Sequence, residues 1–261
     1  MRWKIGSAEI VRILDLELPL GPDLLVIGDS AEQQAATIER AAWAVPQWAT
    51  ADNKVVFAFA AIGIRSEGRR IVVDPALGFD DRRAFPDAAD QEASFDRATR
   101  QAGFAPEDVD VVVNTHDEGI GWNARLDGTA FFPNARYVWP KVDVAQRGAP
   151  VAFDTDAIDP PHALTGEVTI ESARGHTEGS PIVRVRSGGD EAVVVGDLFI
   201  HPLQLADVEW SGNDMLAAET IELRRSLLGD AATRGVLIVS QHFPTPGGGH
   251  VRAEAGAWAL A

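Results

Sequence analysis

The hydrophobic residues of this chain fall into short runs that predict many strands and few helices. Alternation and β-branched content predict a first strand at residues 8–14 and a strand pair at 55–64 and 69–74. Ser66-Glu67-Gly68, between the paired strands, has the composition of a hairpin turn. Largely apolar runs, typical of strands buried on both faces, follow at 109–113, 135–139, 192–195 and 235–239.

Helical patterns are fewer. Residues 90–102 contain good helix formers and stop at Gly103, and apolar residues of 214–228 lie near one helical face. Residues 21–53 have mixed polarity and no clear period, and we expect a helix and a covering loop there. No linker or repeat divides the chain, so we expect one α/β domain over 1–261, with helices layered on mixed sheets.

Composition narrows the protein class. Among 261 residues, 46% are hydrophobic and 24% are charged, a balance that excludes disorder, collagen and coiled coil. No stretch approaches the roughly 20 apolar residues that span a bilayer, so we expect no membrane association. The formal net charge of −16 repels phosphate backbones, which argues against a nucleic-acid partner.

The absence of cysteine removes a further group of functions. With 0 Cys, the chain cannot form a disulfide framework, a zinc ribbon or a cysteine nucleophile. Residues 1–7 lack the apolar core of a signal peptide, so we expect a cytoplasmic location.

Candidate metal ligands follow the ends of predicted strands. His116 comes after the run at 111–113, His176 after 168–170, Asp197 after 193–195, and His242 after 235–239. Strand ends are where loops converge to build a site in layered α/β folds. Imidazole and carboxylate are the ligands that a zinc-like ion takes when thiolate is absent. Taken alone, a histidine near a strand end is more often a hydrogen-bonded structural residue than a ligand, and an aspartate there often forms a turn or a helix cap.

Six strings follow one another in the chain: VDVVVNTH (109–116), GWN (121–123), FPNARY (132–137), GHTEGS (175–180), GDLFIHPLQ (196–204) and HFP (242–244). Together they resemble the metallo-β-lactamase superfamily, with matches in order between about residues 55 and 250. Within it they are most similar to the branch of lactonases and organophosphate hydrolases. The resemblance implies an αββα sandwich of two mixed sheets with a site at one edge.

The resemblance also implies a set of metal ligands, from which this chain departs. His176 matches the family's second-half histidine, Asp197 its bridging aspartate and His242 its last histidine. The family's His-x-His-x-Asp-His motif is two residues short here. His116 is either its first histidine or, with Asn114 in the first position, its second. In both alignments Glu118 stands at the motif's aspartate, and glycine stands at its last histidine.

The shortened motif leaves three imidazoles and one carboxylate, enough for one tetrahedral ion, zinc or another divalent metal. We therefore expect a hydrolase of esters, lactones or thioesters with one ion, in which Glu118 acts as general base beside His116 and Asp197. Glu118 or Asp117 would supply a further oxygen ligand. The alternatives are a metal-free descendant that uses the same pocket for acid–base catalysis, and a non-catalytic small-molecule binder.

Other residues are assigned to a substrate pocket, and some of them have a structural role as the alternative. Trp122, Asn123 and Asp117 are expected at the pocket wall, although a tryptophan in such a place is more often part of the core. His201 is expected beside Asp197, or as the cap of a loop. Substrate specificity is assigned to residues 21–53 and 140–165, and the resemblance makes a homodimer possible.

Overall fold

The computed structural model describes residues 1–21, 30–76, 87–116, 121–147, 155–254 and 256–261. Within them the chain forms two seven-stranded mixed sheets and a small number of helices. Among the described helices, none is long and apolar enough to cross a bilayer.

The first sheet takes its strands in chain order. β1 to β4 are antiparallel neighbours, and β4 to β7 run parallel. Its strands are β1 (Arg2–Ile5), β2 (Ala8–Leu20), β3 (Val55–Ser66), β4 (Arg69–Val73), β5 (Val111–Val113), β6 (Arg136–Pro140) and β7 (Thr155–Ile158).

The second sheet is formed by the rest of the chain, in the order β14-β13-β12-β11-β10-β9-β8. Only β11 and β12 are parallel neighbours among its described strands. The strands are β8 (His162–Ala163), β9 (Val168–Ser172), β10 (Pro181–Ser187), β11 (Asp190–Val194), β12 (Leu237–Val239), β13 (Gly248–Glu254) and β14 (Ala257–Leu260).

The described helices are α1 (Ala31–Arg40), α2 (Ala88–Ala102), α3 (Lys141–Arg147), α4 (Leu203–Ala206) and α5 (Ala217–Arg234). The helix predicted over 90–102 is confirmed as α2, and the helix expected within 21–53 is α1. The helix predicted over 214–228 begins at Ala217 and continues to Arg234, where Gly235 ends it in the left-handed conformation at φ 72°.

The strand predicted first, at residues 8–14, is the second strand of the fold and is longer than predicted, and β1 before it was not predicted. β2 continues from residue 14 to Leu20, because its pairing with β3 shifts register between Leu14 and Leu16 and then resumes as far as Val55. Residues 14–20 alternate between leucine and aspartate, glutamate or proline, a strand pattern that the prediction ending at residue 14 did not use. Leu14 and Leu16 are exposed on this part of the strand.

Three apolar clusters divide the molecule into four layers. The central cluster lies between the sheets and takes Ile71 and Val73 from β4 and Val194 from β11. The intervening Val72 faces the other way, into a cluster shared with Phe95 of α2. Val193 faces a third cluster, shared with α1 and α5. Both faces of these strands are buried, which explains their uninterrupted apolar runs, and the predicted αββα arrangement is confirmed.

Candidate metal centre

The predicted ligands meet where parallel strands of both sheets end. His116 follows β5 of the first sheet after two intervening residues. Asp197 lies in a 3-10 turn, Gly196–Leu198, just after β11, and His242 follows β12. His176 lies in the connection between β9 and β10. The prediction that strand ends bring these residues together is thus supported by their measured separations.

Asp197 is at the centre of the cluster. Its Oδ2 lies 3.9 Å from His116 Nε2 and 3.9 Å from His176 Nε2. Its Oδ1 lies 3.4 Å from His242 Nε2. One ligand atom from each of His116, His176 and Asp197 lies within 4.8 Å of the other two. His242 therefore lies beside Oδ1, whereas His116 and His176 lie beside Oδ2.

His116 is oriented by a chain of hydrogen bonds that begins at Asp74. The Thr115 hydroxyl donates to Asp74 Oδ2 at 2.8 Å, and the Thr115 backbone N–H donates to Oδ1 at 2.7 Å. Since the hydroxyl proton is used on Asp74, Thr115 Oγ1 accepts from His116 Nδ1–H at 3.1 Å. His116 Nε2 is then the nitrogen with a lone pair, directed at Asp197.

The electrostatics of Asp74 reflect its position behind the cluster. Burial raises the pKa of its carboxyl to about 6, while the charge of His116 and the hydrogen bonds from Thr115 act in the opposite direction. Asp197 adds to the increase through like-charge repulsion. The residue adopts a positive φ of 43°, which aims the carboxylate back at the end of β5.

His242 is fixed by the first sheet. Its Nδ1–H donates to the carbonyl of Ala58 at 3.0 Å, so its Nε2 also presents a lone pair to Asp197. The imidazole stacks on Phe57 with ring centres 4.7 Å apart and meets the edge of Phe59 at 5.7 Å. These aromatic rings exclude water from one face of the histidine and hold its plane.

The carboxylate of Asp197 is held by its neighbours in the second sheet. Gln241 Nε2 donates to Asp197 Oδ1 at 2.7 Å, an orientation required because two facing oxygens would repel. Gly196 has a φ of +53°, and a Cβ built there would lie 3.1 Å from Thr115 Oγ1. Glycine is needed at this position because the end of β11 passes so close to the residue that supports His116.

Two predicted pocket residues are corrected by the structure. Trp122 is 1% exposed, stacks on Phe95 and donates from Nε1 to Asp15 Oδ2 at 2.8 Å, so it is part of the core. His201 is 0% exposed, with Nε2 on the Trp48 carbonyl and Nδ1 accepting from the backbone N–H of Leu203, both at 3.1 Å. His201 therefore caps a loop and presents no surface to a pocket.

Asn123 is also buried, and its amide donates to Asn114 Oδ1 at 2.8 Å, two residues before His116. It supports the strand end from which His116 projects. Asp117 and Glu118 lie outside the described residues, so their predicted roles as oxygen ligand, pocket residue and general base stay predictions.

Sequence reasoning missed the residues that support the ligands. Asp74 follows β4, the parallel neighbour of β5, and an acidic residue at the end of a buried strand was an available signal. Gln241 adjoins a predicted ligand in the sequence. Asp214 and Arg224 had no such signal, because they lie in a loop and in the middle of a helix, and only the tertiary structure brings Asp214 Oδ1 to 3.4 Å from His176 Nδ1.

Comparison with known proteins identifies the fold through structure alone. No protein-family model and no curated protein sequence matches the chain. The solved structure of AidC, a dizinc quorum-quenching lactonase in complex with a homoserine product, superposes with a TM-score of 0.77 at 17% identity, covering 100% of this chain and 96% of AidC. The hydrolase AbOPH of the β-lactamase superfamily gives 0.74 at 21% identity, covering 99% and 95%. A probable metal-dependent hydrolase from Staphylococcus aureus gives 0.75 at 16% identity, covering 99% of each chain.

Proposed function

We propose that this chain, which has the metallo-β-lactamase fold, is a hydrolase that holds one divalent metal ion and cleaves an ester, lactone or thioester. The observation that carries the proposal is the convergence of His116, His176 and Asp197, whose ligand atoms lie within 4.8 Å of one another. Each is buried or nearly so, and the two imidazoles direct Nε2 at the same carboxylate oxygen.

The donor set fits zinc. A tetrahedral ion with ligands about 2.0–2.1 Å away needs neighbouring ligand atoms about 3.3 Å apart. The two N···O separations of 3.9 Å require an approach of about 0.6 Å, and the two imidazole nitrogens, within 4.8 Å of each other, require one of up to about 1.5 Å. An ion held by these residues supplies Lewis acidity, which polarises a substrate carbonyl and lowers the pKa of the attacking water.

A single ion is favoured by the surroundings of Asp197. Its Oδ2 faces His116 and His176, whereas its Oδ1 already accepts from the amide of Gln241 at 2.7 Å. A second cation on the Oδ1 side would meet the positive end of that amide dipole and would have His242 as its imidazole ligand among the described residues. We propose that Gln241 instead holds Oδ1 and that the single ion is bound on the Oδ2 side.

The residues of the site have two roles in this proposal: some hold the ion and its ligands, and others shield a ligand from water. Asp197 and the two imidazoles fix the site, Asp74 holds His116 in the required tautomer through Thr115, and Phe57 shields the face of His242. Proton transfer from water is assigned to Glu118 on the sequence argument alone.

The substrate class rests on charge and on the relatives. AidC is described as a lactonase, which supports an acyl bond as the target, and AbOPH is described as a hydrolase. The chain has a formal net charge of −16. At long range this charge favours a neutral substrate over one that carries a carboxylate or phosphate.

The test is metal content by mass spectrometry, measured on protein purified without chelator. We expect about one equivalent of zinc, manganese or iron in the wild type, loss of that metal in His176→Ala, and retention in His250→Ala, a control in which the histidine is exposed and lies on β13. The loaded protein is then assayed against γ-lactones and p-nitrophenyl esters.

Absence of metal after incubation with excess zinc would overturn the proposal and favour metal-free acid–base chemistry or ligand binding in the same pocket. Two equivalents would overturn the single-ion site while leaving a metal-dependent hydrolase. One equivalent without hydrolysis of any ester or lactone would overturn the proposed activity.

A further inference from the structure

Arg224 is a buried cation in the middle of α5 that the proposed reaction does not use. It is 1% exposed, and its guanidinium donates from Nε to the Leu198 carbonyl at 2.6 Å and from Nη1 to the Trp210 carbonyl. The remaining nitrogen, Nη2, lies 3.0 Å from Asp214 Oδ2. This fork of donors is available to arginine and not to lysine, whose ammonium is a single point of charge.

Asp214 connects this arginine to the candidate metal centre. Its side chain is 2% exposed, and its second oxygen, Oδ1, lies 3.4 Å from His176 Nδ1. A carboxylate only accepts hydrogen bonds, so the arrangement selects the form of His176 with its proton on Nδ1. Nε2 then keeps its lone pair and faces Asp197 Oδ2 at 3.9 Å.

The backbone holds the two partners together. Met215 N–H donates to the His176 carbonyl at 3.1 Å, and Leu216 N–H donates to the Gly175 carbonyl at 2.9 Å. The first turn of α5 also packs directly on this loop, since a Cβ built on Gly175 would lie 2.3 Å from Thr220 Oγ1. The loop that carries Asp214 is therefore fixed relative to His176.

Arg224 also contacts the chain next to Asp197, the second candidate ligand. Leu198, whose carbonyl it binds, directly follows Asp197 in the sequence, so one guanidinium fixes the chain beside Asp197 and the carboxylate beside His176. Asp214 would be costly to bury as a lone charge, and the ion pair with Arg224 offsets that cost. A pair with these contacts does more than stabilise α5, because both of its ends adjoin candidate ligands.

We propose that Asp214 and Arg224 are a positioning pair that holds His176 as its Nδ1–H tautomer, with Nε2 directed at Asp197. The pair acts through His176 and touches no reacting atom. The inference rests on the proposed metal centre for its purpose, but the tautomer is a property of the metal-free protein and can be measured whether or not metal binds.

The experiment compares Asp214→Ala, Asp214→Asn and Arg224→Met with the control Arg225→Met. Arg225 is the next residue of α5, and its side chain is half exposed and pairs with Glu209 at the surface. Metal-free, nitrogen-15-labelled proteins are studied at pH 8 by long-range proton–nitrogen correlation, which distinguishes a protonated ring nitrogen from one with a lone pair. His176→Ala assigns the signals, and circular dichroism establishes that each variant is folded.

We expect the Nδ1–H form of His176 in the wild type and in Arg225→Met. In Asp214→Ala the Nε2–H form, which free imidazole prefers, should become the major one, whereas Asp214→Asn keeps an acceptor and should retain Nδ1–H. Zinc affinity, measured against a competing chelator, should fall about 10- to 100-fold in Asp214→Ala, the usual effect of removing such a partner. Arg224→Met should lie between the control and Asp214→Ala.

Persistence of the Nδ1–H form in a folded Asp214→Ala variant would overturn the inference. A wild type that binds no zinc but shows the tautomer change on removal of Asp214 would support the positioning pair while overturning the proposed function. The tautomer and the metal content thus separate the two conclusions.

Discussion

The buried imidazole of His201 should make the free energy of unfolding depend on pH. Its Nε2–H donates to the Trp48 carbonyl, and its Nδ1 accepts from Leu203 N–H, so the folded structure requires the neutral imidazole. A proton on Nδ1 would face another donor with no room for water. Burial accordingly lowers the pKa of His201 from 6.5 to about 4, although its hydrogen bond to the Trp48 carbonyl acts in the opposite direction.

The size of the effect follows from that shift. In the unfolded chain the imidazole takes up a proton near pH 6.5, whereas the folded protein resists protonation until about pH 4. The contribution of His201 is therefore complete above pH 6.5 and is lost as the pH falls toward 4. At about 1.36 kcal/mol per pH unit, the full loss is roughly 3 kcal/mol, of which about 2 kcal/mol is lost by pH 5.

The assay is urea unfolding of wild type and His201→Gln between pH 8 and pH 5, with chelator present so that metal release does not contribute. At pH 8 the variant should be less stable by about 1–3 kcal/mol, because glutamine does not reproduce both hydrogen bonds. Glutamine does not titrate, so this gap should narrow by about 2 kcal/mol at pH 5. His250→Gln controls for removing an exposed imidazole. A gap that stays constant across this range would refute the neutral, buried state of His201.

Gly196→Ala and Trp122→Phe test the packing around the candidate site, and Gly68→Ala is the control for the first of them. Gly196→Ala and Gly68→Ala both place a side chain at positive φ, a cost of about 1–2 kcal/mol, but only at Gly196 does the new Cβ approach Thr115; at Gly68 it meets open space. Zinc affinity should therefore fall in Gly196→Ala alone, and equal affinity in the two variants would contradict the close approach. Trp122→Phe removes the hydrogen bond to Asp15 and should lower the free energy of unfolding by about 1–3 kcal/mol, with turnover within about twofold of wild type. A turnover loss above about tenfold at unchanged stability would instead indicate that Trp122 contributes to the substrate pocket.

The uninterrupted apolar strands were the part of the fold that could be predicted most directly. The runs at 111–113, 192–194 and 237–239 predict strands, because residues facing two different cores must all be apolar. Local signals failed at the N-terminus of α5, where residues 214–216 turn back onto the loop of His176 and hydrogen-bond to its backbone.

The sequence by itself determined the candidate ligands. A histidine or aspartate that follows an apolar run can be recognised in the sequence, and the loops that follow strand ends converge at one edge of a sheet. From the resemblance, the sequence also predicts a shortened ligand motif with fewer imidazoles than the family's motif has. Only the tertiary structure decided which oxygen of Asp197 faces which histidine, and which partner fixes each imidazole. Asp214 is 38 residues from His176 in the sequence, and Ala58 precedes His242 by 184 residues. Tautomer and ligand direction depend on contacts between such distant residues, and these contacts exist only once the chain has folded.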